Sequence, residues 1–380
     1  MRVLHICSDF SKQSIYNQMV TNLSIQGVNQ EVYIPVRTEE EIGKNQNRNL
    51  DNVNYKYSFI LNKLDRLNYF GKIHKSEKDL TSSIDVEKCD VIHAHFLFSD
   101  GGVAFNLNKK FGIPYIVTIR NTDINFFFRY FIHLRFFALD ILKGASQIIF
   151  LTPKYYEYTF ENYLPKKLHA DLMKKVSIVP NGVNSFWLNN VKKRDPFLKN
   201  AKITFLYVGD FSKNKNIQIS IQALSKVYAE RKNIQFVLVG GDGDYNTEIR
   251  KLVVKHSNWI KLVERTNSLD ELKKVYESAD IFIMPSKYET FGLVYIEAMS
   301  QGLPIVYSTG QGVDGFFENG EVGFSVTSGD AEDLIQKLNL IINNYDNIST
   351  NCNLKCRNFS WEDISIRYIG IYNQVSKKCV

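Results

Sequence analysis

Ile281-Phe-Ile-Met-Pro285-Ser-Lys-Tyr-Glu289-Thr-Phe-Gly292-Leu-Val-Tyr-Ile-Glu297-Ala-Met-Ser-Gln-Gly302 decides the fold of this chain. Ile281 to Met284 is an apolar run stopped by Pro285, the pattern of a short buried strand. Phe291 to Ser300 carries helix formers and is closed by Gly302 and Pro304. A strand, a short loop and a helix therefore follow one another. The first amides of that helix, around Phe291, Gly292, Leu293 and Val294, lack intrahelical acceptors, and the helix dipole makes this end attractive to an anion. Glu289 stands beside that end. Glu297 follows Leu293 at i+4 and Val294 at i+3, so it shares the apolar stripe, where a lone carboxylate is costly without a polar partner.

The same rhythm extends over the whole chain. Apolar runs at Val3–Cys7, Val32–Ile34, Val91–Ala94, Tyr115–Thr118, Gln147–Leu151, Ser177–Val179, Ile203–Val208, Gln235–Val239, Ile260–Val263, Ile281–Met284 and Ile305–Tyr307 alternate with helical stretches. That alternation predicts parallel sheets joined by crossover helices, hence an α/β protein. So many strands exceed one ordinary sheet, and Gly182 to Lys199, rich in Asn, Lys and Pro, is a natural break. The expected organisation is two Rossmann-like domains facing an interdomain cleft: 1–184, a linker 185–200, 201–360, and a last helix 361–380. Ser360 caps that helix, and Glu362 and Asp363 supply its acidic first turn.

Bulk composition narrows the function classes. A hydrophobic content of 44% and a charged content of 23% over 380 residues describe a globular chain with two cores, not a disordered one. Cys7, Cys89, Cys352, Cys356 and Cys379 are odd in number and scattered, which points to reduced thiols. Cys352 and Cys356 can share a helix face, but no further Cys or His stands at ligand spacing, so no zinc site is expected. Met1 to Asp9 lacks the apolar core of a signal peptide, and a cytoplasmic location is expected. Asn125 to Leu142 is interrupted by Arg129, His133, Arg135 and Asp140, which predicts an amphipathic helix and not a membrane span.

The net charge of +7 is uneven, with 23 basic against 18 acidic residues in 1–184 and 20 against 21 after residue 200. The basic excess of the first half suits an anionic membrane surface or a phosphorylated acceptor. No helix-turn-helix, zinc finger or RNP-like aromatic string supports nucleic acid as a partner. Tyr55 to Lys78, with Tyr57, Phe59, Leu67, Tyr69 and Phe70 among five lysines and an arginine, reads either as a contact for lipid headgroups or a polyprenyl-linked acceptor, or as an ordinary half-buried helix and loop.

The block Ala279-Asp280, Pro285-Ser286, Glu289, Phe291-Gly292, Glu297-Ala298-Met299, Gly302 and Pro304 resembles the nucleotide-sugar site of the retaining glycosyltransferases of family GT4, which have the GT-B fold. The resemblance implies that Glu289 accepts hydrogen bonds from hydroxyls of the donor sugar. It further implies that the amides from Phe291 to Val294 meet the sugar and diphosphate, that Glu297 takes the ribose hydroxyls, and that the last helix crosses back onto the first domain. The donor would be a UDP- or GDP-sugar, with no cofactor or metal required. The acceptor would be a sugar or lipid-linked glycan in bacterial surface polysaccharide or glycoconjugate assembly, with peripheral contact at the inner face of the cell membrane.

Beside it stand the readings of the residues themselves. Ile203 to Val208 ends at Gly209, and the loop holding Lys213 and Lys215 leads into a helix, a turn able to hold a diphosphate or simply two solvated lysines. The family pattern puts its lysine at Lys215 but an arginine where this chain has Asp210, so Asp210 turns away, Lys213 substitutes, or the donor sits differently. Gly240-Gly-Asp-Gly-Asp244 reads as a turn and not as a metal site. His93 and His95 share a strand face and read as structural; the resemblance places His95 and Asp123 on the acceptor side. Arg120 stands where the family usually has His and would donate to the leaving phosphate. Glu289, Lys215 and Arg120 are thus the candidate catalytic set. Ser11 to Tyr16 takes the place of a glycine-rich loop without any glycine. Ser177 to Val183 reads as structural. A nucleotide-sugar epimerase or hydrolase of the same fold, or a catalytically silent binding homologue, are the alternatives.

Overall fold

The computed structural model describes residues 1–66, 68–197 and 201–377. Leu67, the linker residues 198–200 and the last three residues, Cys379 among them, lie outside the described residues. The chain divides into two compact units. The first comprises Met1–Leu151, Tyr155–Gly182 and Trp361–Val380, the second Thr152–Lys154 and Val183–Ser360.

Each unit is built on one parallel sheet. In the first, β1 (Arg2–Ile6), β2 (Asn29–Val36), β3 (Val53–Phe59), β4 (Val91–Ala94), β5 (Tyr115–Ile119), β6 (Gln147–Phe150) and β7 (Val176–Ile178) stand in the order β3-β2-β1-β4-β5-β6-β7. In the second, β8 (Ile203–Asp210), β9 (Ile234–Gly241), β10 (Ile260–Glu264), β11 (Ile281–Ile283), β12 (Ile305–Ser308) and β13 (Gly323–Val326) run β10-β9-β8-β11-β12-β13. Helices cover these sheets, so the central strands are apolar along their length, as parallel strands buried on both faces must be. In both sheets the order reverses beside the first strand, which opens a crevice at the carboxyl ends of the strands.

Eleven apolar runs foreshadow strands, and two further strands escape them. β3 is an edge strand whose residues alternate polar and aromatic, and none of its tyrosines is fully buried. The Tyr55–Lys78 stretch therefore starts as sheet and continues as the helix Tyr69–Ser83, with Tyr55 against Phe10 and the Tyr69 hydroxyl donating to the Phe98 carbonyl at 2.7 Å. β13, four residues long, is an edge of the second sheet. Asn125 to Leu142 is not one amphipathic helix. It forms a wide turn at Asp123–Phe128, a tight turn at Ile132–Leu134 and a helix from Arg135 to Gly144, because its bulky aromatics cannot all face one core.

The closing helix Trp361–Lys377 belongs to the first unit and packs on the helix Ser14–Ile25. The Trp361 indole donates to Gln18 Oε1 at 2.9 Å, and the Tyr372 hydroxyl meets His93 Nδ1 at 2.7 Å. Gly182 makes room for this seat: a Cβ there would lie 2.4 Å from the Trp361 ring. Gly182→Ala is accordingly expected to destabilise the first unit by about 1–3 kcal/mol, the usual overpacking range. Chemical denaturation followed by tryptophan fluorescence checks this, with a shifted Trp361 emission in the folded variant.

Candidate functional site

The carboxyl ends of β8, β9 and β11 meet in the second unit, and the loops leaving them carry most of the residues singled out by the sequence. After β8, residues Lys213–Lys215 make one tight turn, and Asn216, at φ 57°, enters the helix Ile217–Glu230. After β11, the loop from Met284 reaches Gly292, at φ 77°, before the helix Leu293–Ser300. Lys215 Nζ donates to Glu289 Oε2 at 2.6 Å, with side-chain exposures of 20% and 13%. An ion pair this withdrawn from water is screened less than a surface pair and needs good geometry to repay desolvation.

Asn214 supplies that geometry. Its Nδ2 donates to the Tyr288 carbonyl at 2.8 Å, its Oδ1 accepts from the Tyr288 amide at 3.0 Å, and its carbonyl accepts from the Lys287 amide at 2.8 Å. Asn216 adds a bond from Nδ2 to the Pro285 carbonyl at 3.3 Å. On the other side of Glu289, the Gln311 side chain accepts its amide at 3.1 Å and the Gly312 amide donates to its carbonyl at 2.9 Å. Two glycines close the cradle. A Cβ at Gly292 or Gly312 would lie 2.5 or 3.1 Å from the Tyr295 ring and 3.2 Å from Glu289 Cγ in either case. Tyr295 is itself pinned by its hydroxyl to the Met284 carbonyl at 2.6 Å.

The same strand ends line a cavity of about 210 Å³, walled by Gly209, Asp210, Gly240, Arg265, Val294 and Glu297. Gly240, at φ 146°, is required there: a Cβ would stand 2.0 Å from the Gly209 carbonyl oxygen. Glu297 accepts from the Tyr276 hydroxyl at 3.1 Å. Burial pushes its carboxyl up to about 7, against the opposing hydrogen bonds from Tyr276 and Trp187. The polar partner expected for this carboxylate is therefore a tyrosine and a tryptophan, not a cation.

Asp210 faces Arg265, with 3.3 Å from Oδ1 to Nη1, and Asp242 stands 3.9 Å from the same nitrogen. These side chains are exposed, so the pairs set direction more than stability. Arg265, at the end of β10, brings a guanidinium to the neighbourhood where the resemblance expects an arginine at 210. Lys213 turns elsewhere: its amide donates to Asp244 at 3.0 Å and its Nζ lies 5.7 Å from the Tyr245 ring centre. Phe291 is core, packed on Phe316 and Phe359, and only its backbone is at the site. The helix Leu293–Ser300 has no side-chain cap at its start.

The first unit holds the other expected residues. Parallel pairing sets His5 beside His93, and His95 stacks on both. His93 uses both ring nitrogens, toward the Tyr372 and Thr118 hydroxyls at 2.7 and 2.9 Å, and His5 Nδ1 meets His95 Nε2 at 3.1 Å. Burial lowers His5 to about 3 and holds His93 and His95 well below the usual imidazole range, so these rings are neutral. Asp123 is buried and accepts the amides of Leu97, Phe98 and Arg120 at 3.1, 3.0 and 2.9 Å. It ties two loops together. The Arg120 guanidinium lies 4.7 Å from the Tyr16 ring centre and donates from Nε to the His95 carbonyl at 2.9 Å.

Lys215, Glu289, Gly209, Gly292, Val294 and Glu297 thus gather in the second unit, whereas Arg120, His95 and Asp123 belong to the first. Asn214, Gln311, Gly312, Tyr276 and Arg265 went unnoticed in the sequence. An Asn between two lysines at a strand end was the one available signal, since Asn favours such turns.

Residues 189–357 match the family model Glycosyl transferases group 1. An uncharacterized glycosyltransferase of Methanocaldococcus jannaschii is 26% identical over 321 residues, covering 83% of each chain. The UDP-Gal:alpha-D-GlcNAc-diphosphoundecaprenol alpha-1,3-galactosyltransferase of Escherichia coli is 26% identical over 300 residues, 74% of each. Among solved structures, the sucrose-phosphate synthase of Thermosynechococcus elongatus superposes with a TM-score of 0.78 at 20% identity, covering 100% of both chains.

Glu297 titrates at a higher pH folded than unfolded, so the native state holds its proton through the window in which the unfolded chain has lost it. Its contribution to stability is complete below the ordinary glutamate pKa and is lost as pH rises through about 7. Between pH 5 and 8 the wild type should therefore lose on the order of 1–3 kcal/mol more stability than Glu297→Gln, as read by urea denaturation.

Proposed function

We propose, from the premise that this chain belongs to the glycosyl transferases group 1 family, that it moves a hexosyl group from a UDP- or GDP-sugar to an acceptor hydroxyl with retention at the anomeric carbon. The observation that carries this reading is the Lys215–Glu289 pair at 2.6 Å, held by the loops after the same strands whose ends line the cavity with Gly209, Val294 and Glu297. Glu289 offers acceptor oxygens to sugar hydroxyls, Glu297 to ribose hydroxyls, and Lys215 a cation to the diphosphate between them. Arg265 is the second cation, which answers the charge of Asp210. The amides from Gly292 to Val294 complete the donor set. In this reading the departing diphosphate is neutralised by these groups and needs no divalent ion. Glu289 positions and Lys215 stabilises; neither forms a bond to the sugar.

The E. coli relative acts, by its name, on a diphosphoundecaprenol-linked sugar, which supports a lipid-linked glycan as acceptor here. A peripheral membrane contact fits that acceptor. No helix among the described residues is long and apolar enough to cross a membrane. Phe126, Tyr130, Ile132 and Phe136 are nevertheless 48%, 62%, 63% and 78% exposed within eleven residues that also carry Arg129, His133 and Arg135. Exposed aromatics interleaved with cations suit the headgroup region of an anionic bilayer. This patch is a better candidate than Tyr55–Lys78, most of whose aromatics pack inward.

A thermal-shift panel of UDP- and GDP-sugars tests the donor reading, since a ligand of the native state raises its midpoint. Proton NMR of the product then reports the anomer. Glu289→Ala and Lys215→Ala are each expected to lower kcat by about 10²- to 10³-fold. Full activity of Glu289→Ala would refute the assignment. Replacing Phe126, Tyr130 and Phe136 together by Ser should abolish sedimentation with vesicles containing phosphatidylglycerol and leave donor binding unchanged.

A further inference from the structure

The first unit has a cavity of its own, about 180 Å³, at the carboxyl ends of its central strands. Three cations reach it: Lys12 from the loop after β1, Arg37 from the end of β2, and Lys72 from the helix Tyr69–Ser83. Their surroundings differ. Lys12 is exposed and paired with Asp9 at 2.7 Å. Arg37 is half-buried and oriented by a bond from Nη1 to the Asn62 carbonyl at 2.7 Å, while Glu41, the nearby carboxylate, accepts its backbone amide at 2.8 Å. Lys72 is half-buried too; the carboxylates that act on it, Asp100 and then Asp9, stand beyond ion-pair distance among the described residues, and Arg37 and Lys12 add like charge. Burial holds its ammonium below the ordinary lysine range.

An ammonium withdrawn from water whose opposing carboxylates stand outside ion-pair distance is costly, and proteins keep such groups where a ligand supplies the missing charge. The buried Asp100 below the cavity does not fill this role fully. Its carboxylate accepts the Ser8 amide at 3.3 Å, and burial pushes it up to about 7. The Ser8 and Ser99 hydroxyls, 3.0 Å apart, add neutral donors on the same wall. Phe96 and Phe127 form an apolar side that strengthens any charge pairing inside. A volume of 180 Å³ is that of about six liquid waters, enough for a phosphate or a diphosphate.

We propose that this cavity binds a phosphate or diphosphate group of the acceptor, with Lys72 as its principal contact, Arg37 as a forked donor and the Ser8 and Ser99 hydroxyls completing the shell. Calling the ligand the acceptor rests on the glycosyltransferase reading; the anion site itself does not.

The test is calorimetric titration of inorganic pyrophosphate into the full chain with UDP at saturation, so that the second unit's site is filled. The wild type is expected to bind pyrophosphate. Lys72→Met is expected to weaken that binding by about tenfold to a hundredfold, the worth of one charge-assisted contact, and Lys72→Arg to restore most of it. Equal binding by wild type and Lys72→Met, or no binding by the wild type, overturns the site. UDP titrated alone keeps the two readings apart: if UDP fails to bind while Lys72-dependent pyrophosphate binding persists in Lys215→Ala, the donor reading falls and the anion site stands. Transfer to a diphosphoundecaprenol-linked sugar compared with transfer to a soluble hexose phosphate then tells a lipid-borne phosphate from a free one, and Lys72→Met must raise KM for whichever is used.

Discussion

Lys215 and Glu289 hold each other at 2.6 Å across 74 positions of sequence, and the architecture at the carboxyl end of the second sheet is arranged so that they can. Two half-buried charges are worth keeping only if both stay in register, because a lone buried charge costs several kcal/mol. Register comes from Asn214, which bonds the turn after β8 to the loop after β11 three times. Space comes from Gly292 and Gly312, which let the chain pass against Tyr295 and the stem of Glu289. At φ 77° and 60° those two positions also need glycine for their left-handed backbone.

The two units treat their carboxylates differently. In the second, half-buried Glu297 is answered by hydroxyl and indole donors, and burial raises its carboxyl to about 7. In the first, Asp123 is surrounded by three backbone amides and serves to lock loops. The three imidazoles nearby are neutral: His5 is hydrogen-bonded to His95, and His93, stacked on His95, bonds Thr118 and Tyr372 of the closing helix. They fasten that helix to the sheet. Three cations of the first unit, Lys12, Arg37 and Lys72, meet instead at a separate cavity, while Arg120 stays with the histidines, its Nε donating to the His95 carbonyl.

Much of the candidate site in the second unit was legible beforehand because it is written locally. Glu289, Gly292, Val294 and Glu297 lie on one strand-loop-helix, and a helix start, an apolar stripe and two carboxylates can be read from spacing alone. Two of the edge strands were the blind spot, since β3 mixes polar and aromatic residues and β13 is interrupted by Gly323 and Ser325, so neither has the continuous apolar run of a central strand. The stretch 125–142 misled for a related reason. Its periodicity suits one helix, but six phenylalanines within it, at 126, 127, 128, 131, 136 and 137, exceed what one face can bury, and the chain breaks to distribute them.

Composition and periodicity are properties of neighbours along the chain. They suffice for an α/β protein with parallel sheets and for the placement of Glu289 and Glu297 about a helix start, because helix and strand periods need no knowledge of distant partners. Pairing across the fold is another matter. That Lys215 and not Lys213 meets Glu289, that Asp210 turns to Arg265, and that Lys72 has no carboxylate within ion-pair distance among the described residues depend on which strands lie side by side and how their ends align. Strand order is fixed by packing of whole layers, and the energy of each pair depends on burial. Both quantities exist only once the chain has folded.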